Sequence, residues 1–181
     1  SSAQMISYEL VLGLSIAVAL MAAGDVSLRN IALSQGEGFW NWWIVSPKWL
    51  VLPGILGFFL YLISAFAETN RIPFDLPEAE TELVAGYHTE YSSMKFAMFF
   101  MAEYCNIITV CCIAVTLFLG GWHAPFPFLP SGGLFGPVWF VLKVFTLVCV
   151  FSWVRGTLPR LRYDQLMQFG WKVMLPLAIA N

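Results

Sequence analysis

Charge is what this sequence has least of. Of 181 residues only 9 are Lys or Arg and 11 are Asp or Glu, giving a net charge of −2. That balance leaves no cationic surface for a nucleic-acid backbone, so nucleic-acid binding is excluded. Histidine is almost missing: His88 and His123 are the only two, and neither sits in a metal-ligand motif such as H-E-x-x-H. A histidine in a loop is more often a polar surface or packing residue than a ligand. The cysteines lack C-x-x-C spacing, with Cys105, Cys111 and Cys112 in one apolar run and Cys149 in another. This is no iron–sulfur or zinc pattern, so the chain is expected to bind no metal or redox cofactor by itself. An initiator Met is missing too, and no basic region precedes a short apolar segment. Ser1 therefore reads as an interior start of a longer protein and not as a signal peptide.

What is present is apolar surface. Hydrophobic residues make up 59% of the chain and aromatic ones 17%, which describes a membrane protein and not a soluble domain. A bilayer core needs about 20 mostly apolar helical residues to cross it. Five stretches come close: residues 5–24, 49–67, 96–120, 138–154 and 163–181, the last still apolar where the chain stops. The expected fold is an all-α polytopic transmembrane helix bundle, one membrane domain over residues 1–181, with a structured acidic loop at 68–95.

Alternating spans place the connections at residues 25–48 and 121–137 on one side. The first is rich in Gly, Trp and polar residues, and Trp40, Trp42, Trp43 and Trp49 suit a membrane interface. The second holds four prolines and four glycines, which predicts an irregular connection. The opposite side carries Arg71, Lys95, Arg155, Arg160 and Arg162 against Arg29 and Lys48 on the Trp-rich side. By the positive-inside rule the former is cytoplasmic, or matrix-facing in a mitochondrion.

Within the spans a few ionisable groups stand where a bilayer excludes them. Glu9 lies near the start of the first, and Glu103 lies about 10 Å inside the third at a rise of ~1.5 Å per residue. A carboxylate there costs at least ~2.5 kcal/mol on insertion scales, so it should face protein or water. Asn106, Thr109 and Thr116 follow Glu103 near one helical face, with Cys112 close to it, a stripe expected to face other helices or a hydrated path. Two readings of Glu103 stand open: an acid that hydrogen-bonds helices together, or a proton-exchanging site. Lys143 and Lys172 either snorkel to the interface or serve inside the bundle. Gly13 and Ala17, four apart, would permit close helix approach.

The stretch from residue 68 to 95, ETNRIPFDLPEAETELVAGYHTEYSSMK, departs from a solvated acidic loop. Pro73 and Pro77 prevent a regular helix across IPFDLP, while Phe74 and Leu76 between them, and Leu83, Val84, Ala85 and Tyr87 beyond, are apolar. These features predict a loop folded against the bundle, lining a cavity with carboxylates and apolar groups together. Glu78 and Glu82 share a face if that piece is helical. Acids this close cannot all ionise freely.

AETNRIPFDLPEAETELVAGYHTEY, followed by MKFAMFFMAEY, resembles a membrane-subunit family of the proton-pumping NADH–quinone oxidoreductases, respiratory complex I, whose mitochondrial counterpart is chain 1. AQMISYE at residues 3–9 and LPRLRYDQLMQFGWK at 158–172 resemble the same family in the right order, so the likeness covers the chain. It implies the C-terminal five spans of a subunit with about eight. It also implies a subunit that forms much of the quinone tunnel and couples quinone reduction to proton translocation. By motif match, Arg71, Phe74 and Asp75 would border the quinone cavity. Glu9, Glu90 and Glu103 would belong to the acidic proton path, with Glu78, Glu80 and Glu82 at its entrance.

Further implications concern the surroundings. Quinone is the substrate; FMN and iron–sulfur clusters are expected in partner subunits, among them peripheral-arm quinone-site subunits and small membrane-arm subunits. The membrane is a bacterial inner membrane, or the mitochondrial inner membrane if organellar. Two other classes remain open from the sequence: a membrane anchor in a related hydrogenase or ferredoxin-linked complex, and an independent ion channel or transporter.

Overall fold

The computed structural model of the protein describes residues 2–36, 38–42, 44–45, 51–69, 73–74, 94–126, 128–129, 135–159 and 161–181. All regular structure among them is helical: α1 (Ser2–Ala23), α2 (Leu28–Ser34), a 3₁₀ turn (Phe39–Asn41), α3 (Val51–Glu68), α4 (Met94–Phe118), α5 (Phe135–Thr157), α6 (Tyr163–Phe169), a π-helical segment (Gly170–Met174) and α7 (Leu175–Ala180). Met5–Ala23, Met94–Phe118 and Phe135–Thr157 are long and apolar enough to cross a bilayer, and the apolar helix Pro53–Glu68 is shorter. The expected membrane helix bundle is the fold seen.

The helix ends follow from local chemistry. Pro53 and Pro137 fall in the first turns of α3 and α5, where a missing N–H breaks no bond. α1 stops at Gly24, whose φ of 69° is left-handed and whose N–H bonds the Leu20 carbonyl at 2.9 Å. Asp25 then accepts from the Ser27 backbone N–H at 3.0 Å and from the Asn30 side chain, starting α2. Those two bonds, the Asn30 side chain first, hold the Asp25 carboxyl below its ordinary pKa. A short helix was not expected in this connection. Ile31 and Ala32, fully buried, supply the apolar face that makes it fold inward.

The final helix is also less regular than an uninterrupted span. Pro176 cannot donate to the carbonyl four residues back, and its ring crowds that carbonyl; the wider π turn at Gly170–Met174 comes directly before it.

α1 packs most extensively on α3, α3 on α4, α4 on α5, and the last helix returns against α1. Between lipid-embedded helices there is little hydrophobic driving force, so close packing and interhelical hydrogen bonds hold the bundle. Phe66 of α3 stacks on Phe151 of α5 at 3.9 Å between centroids, and Phe58 and Tyr61 pack on Phe118 at 5.7 and 5.8 Å. The Tyr61 hydroxyl donates to the Val110 carbonyl at 3.0 Å, tying α3 to α4. Among the described residues nothing approaches Gly13: a Cβ there would meet no atom within 4 Å, and the residue faces outward.

At the Trp-rich end the connections converge on the terminus of α4. A helix end leaves its last carbonyls without partners inside the helix. Gln35, fully buried, donates from Nε2 to the carbonyls of Leu117 at 2.9 Å and of Thr116 at 3.3 Å, and accepts the Gly120 N–H at 3.0 Å on Oε1. Gly120 and Gly121 have φ of 71° and 53°, and a Cβ on Gly120 would lie 2.7 Å from Trp42 Nε1. Only glycine fits there. The Gly121 N–H reaches back to the Val115 carbonyl at 2.9 Å.

Candidate functional site

The opposite end of the bundle carries Tyr8, Glu9, Glu68 and Phe74. Tyr8 of α1 is 1% exposed and occupies the junction between α1, the segment after α3 and the last helix. Its hydroxyl donates to the Leu166 carbonyl at 2.9 Å. That carbonyl also receives the Gly170 N–H, so Tyr8 is bound where the regular helix gives way to the π-helical segment. The Tyr8 ring packs directly over Gly170, where a Cβ would lie in ordinary van der Waals contact with it at 3.4 Å from Cζ.

Phe74, 4% exposed, meets the Tyr8 ring edge-on at 5.4 Å between centroids and 61° between planes. Its neighbour Pro73 is buried, and the Pro73 carbonyl accepts the Leu161 N–H at 3.1 Å. Proline keeps this backbone out of a helix, which frees the carbonyl to pair with a distant segment. The start of IPFDLP is thus pinned twice, to α1 through Phe74 and to the α5–α6 connection through Pro73. The expected folding of this loop against the bundle holds for these two residues.

The acids divide into those near this junction and those elsewhere. Glu9 follows Tyr8 and is exposed, and Glu68, half-buried at the end of α3, lies close enough for the two charges to repel. Glu103 is half-buried on α4, as is Asn106. The hydroxyls of Thr109 and Thr116 turn back onto their own helix, donating to the carbonyls of Cys105 at 2.9 Å and Cys112 at 2.8 Å. Arg71, Asp75, Glu78, Glu80, Glu82 and Glu90 lie outside the described residues.

Sequence reasoning passed over Tyr8 as a contact residue and gave Glu68 no role. A tyrosine next to a glutamate inside an apolar span was the available signal for the first, since a buried hydroxyl needs a partner. Nothing local marks which partner. An open cavity among the described residues lies elsewhere, as an apolar groove of about 590 Å³ between α1, α3, α7 and the end of α4, lined by Leu14, Ala17, Met21, Pro53, Phe118 and Ala178. It belongs to the Trp-rich end and holds none of the predicted site residues.

A family model described as NADH dehydrogenase matches residues 1–181. The chain belongs to that family. It is 61% identical over 184 residues to the second H-type subunit of the NADH-quinone oxidoreductase of Koribacter versatilis, covering all of this chain and 51% of that protein. It is 55% identical to the first H-type subunit of the Geobacter sulfurreducens NADH-quinone oxidoreductase, covering all of this chain and 48% of the relative. A third relative, the H-type subunit of the enzyme from Protochlamydia amoebophila, is 52% identical across 99% of this chain and 50% of its own length. The chain spans about half the length of these relatives. The likeness carried by the AETNRIPFDLPEAETELVAGYHTEY motif thus extends over the whole chain.

Proposed function

We propose that the chain forms part of the quinone-binding cavity of a proton-pumping NADH:quinone oxidoreductase and couples quinone reduction to proton movement through its membrane carboxylates. The observation that carries this reading is the double anchoring of the Pro73–Phe74 backbone beside Glu9 and Glu68. A loop fixed in this way translates a change of charge on its quinone-facing side into a change of field at nearby acids, and closely spaced acids answer by exchanging protons. Glu9 is exposed on an apolar helix, a position tolerable in a bilayer only where protein or water covers it.

In this reading Arg71, Phe74 and Asp75 border the quinone, and Glu78, Glu80 and Glu82 open onto the proton path. Glu9, Glu90 and Glu103 continue that path. Electrons come from FMN and iron–sulfur clusters in peripheral-arm subunits, and small membrane-arm subunits receive the protonation change. The five apolar stretches cross a bacterial inner membrane, or the mitochondrial inner membrane, with the acidic loop on the cytoplasmic or matrix side.

The test replaces Glu9 or Glu103 with Gln in the assembled membrane complex. Quinone-reductase turnover and coupled proton pumping fall while assembly stays intact. Normal turnover and pumping in assembled complex would sink the proposal. Insensitivity of the purified complex to quinone-site inhibitors would point instead to a hydrogenase or ferredoxin-linked relative.

A further inference from the structure

Lys143 stands in the third turn of α5, in a helix otherwise apolar enough to span a bilayer. Its side chain turns inward to the end of α4 instead of outward. The Nζ donates to three backbone carbonyls, of Leu119 at 2.6 Å, His123 at 2.7 Å and Gly121 at 3.0 Å. It also lies 4.2 Å from the centroid of the Trp42 ring.

This is a complete set of partners for a primary ammonium ion. An ammonium has three N–H donors and no acceptor, and each donor has a carbonyl; the remaining face is met by an aromatic ring, which attracts cations. A neutral amine would present a lone pair to one of those carbonyl oxygens, whereas the ammonium's three donors match the three carbonyls one for one. All three carbonyls lie in the turn that directly follows the negative end of the 25-residue α4. Their convergence depends on the left-handed Gly120 and Gly121, and Gln35 occupies the neighbouring carbonyls of Thr116 and Leu117. Gln35 thus binds carbonyls in the last turn of α4 and Lys143 those of the turn beyond it.

We propose that the end of α4 is a receptor for a primary ammonium ion, built from the carbonyls of Leu119, Gly121 and His123 and the face of Trp42, with Lys143 as its tethered occupant. Lys143 is a positioning residue: it locks α5 to α4 and closes the Trp-rich end of the bundle. The inference is independent of the quinone-site reading, because its readout needs no enzymatic activity.

The experiment uses the purified, detergent-solubilised native assembly. Lys143→Ala empties the receptor, and its thermal unfolding midpoint falls by about 5 °C. Methylammonium chloride at tens of millimolar restores most of that loss, while tetramethylammonium chloride at equal ionic strength does not, because it has no N–H to donate. The wild-type midpoint responds equally to the two salts. A Lys143→Ala midpoint equal to wild type, or a loss that both salts or neither salt restores, overturns the proposal. Should the alanine variant fail to accumulate, Trp42→Leu gives the second reading. Removing the ring makes the Lys143 amine react several-fold faster with an amine-acylating reagent, followed by peptide mass spectrometry. An unchanged labelling rate overturns the proposal by that route.

Discussion

Replacing Tyr8 separates two contributions that the structure places on one side chain. Its ring supports Phe74 edge-on at 5.4 Å, and its hydroxyl donates to the Leu166 carbonyl at 2.9 Å. An edge-to-face pair contributes roughly 0.5–1.5 kcal/mol beyond the area it buries, and a typical buried hydrogen bond about 1 kcal/mol net. Tyr8→Phe keeps the ring and loses only the hydroxyl. Leu166 O retains the Gly170 N–H, so no acceptor is stranded, and stability falls by about 1 kcal/mol. Tyr8→Leu loses both terms and frees Phe74. The sensitive probe is the Leu161 amide, because its hydrogen bond to the Pro73 carbonyl reports whether the neighbouring loop is seated. Hydrogen exchange at Leu161 should speed up about tenfold in Tyr8→Leu, the factor that ~1.4 kcal/mol gives, and stay near wild type in Tyr8→Phe. Wild-type exchange in Tyr8→Leu would refute the idea that Tyr8 holds the loop. Equal acceleration in both variants would assign the anchoring to the hydroxyl and not to the ring.

Gln35→Leu preserves volume but strands the Leu117 carbonyl and the Gly120 N–H, each a buried group whose loss of partner costs about 1–3 kcal/mol. The unfolding midpoint should drop by several degrees, and Gln35→Ala should drop it further by adding a cavity; a Leu variant as stable as wild type would contradict the capping role. His123 offers a pH test, since burial, and then the charge of Lys143, hold its imidazole below the usual histidine pKa. The unfolded chain takes up that proton near pH 6.5 and the folded one only at lower pH, so stability is level above about 6.5 and declines as pH falls below it. Unfolding midpoints measured from neutral to mildly acid pH should show a shallower decline in His123→Gln, and equal slopes would remove His123 from the account.

The legible parts of the fold were those written in short-range pattern. Apolar runs of nearly bilayer length announced the helices, because backbone groups in lipid must pair within their own segment. Pro73, one of the two prolines of IPFDLP, is described and is not helical, and its carbonyl is available to Leu161. The α2 helix was missed because its seven residues are too few for a period to stand out, and its buried face of Ile31 and Ala32 needs the end of α4 to pack on. Gly13 shows the limit of such a signal: a small residue permits close approach but does not cause it, and no described residue comes within 4 Å of a Cβ there.

By itself the sequence determined that this chain lives in a membrane, that its helices sit near the observed bounds, and, through one long motif, which family it belongs to. The scarcity of charge also marked Glu9, Glu103 and Lys143 as residues that a bilayer would not tolerate unpartnered. Which partner each obtains was a tertiary decision. Lys143 could equally have reached outward to the interface, and its capture by three carbonyls required α4 to end on two left-handed glycines beside α5. Tyr8 could have bonded any nearby acceptor, and it found Leu166, 158 positions away, because the returning helix widens into a π turn against it. Local pattern specifies which groups need satisfying. Only the packed bundle supplies the groups that satisfy them, since hydrogen bonds of such range depend on where distant backbones come to lie.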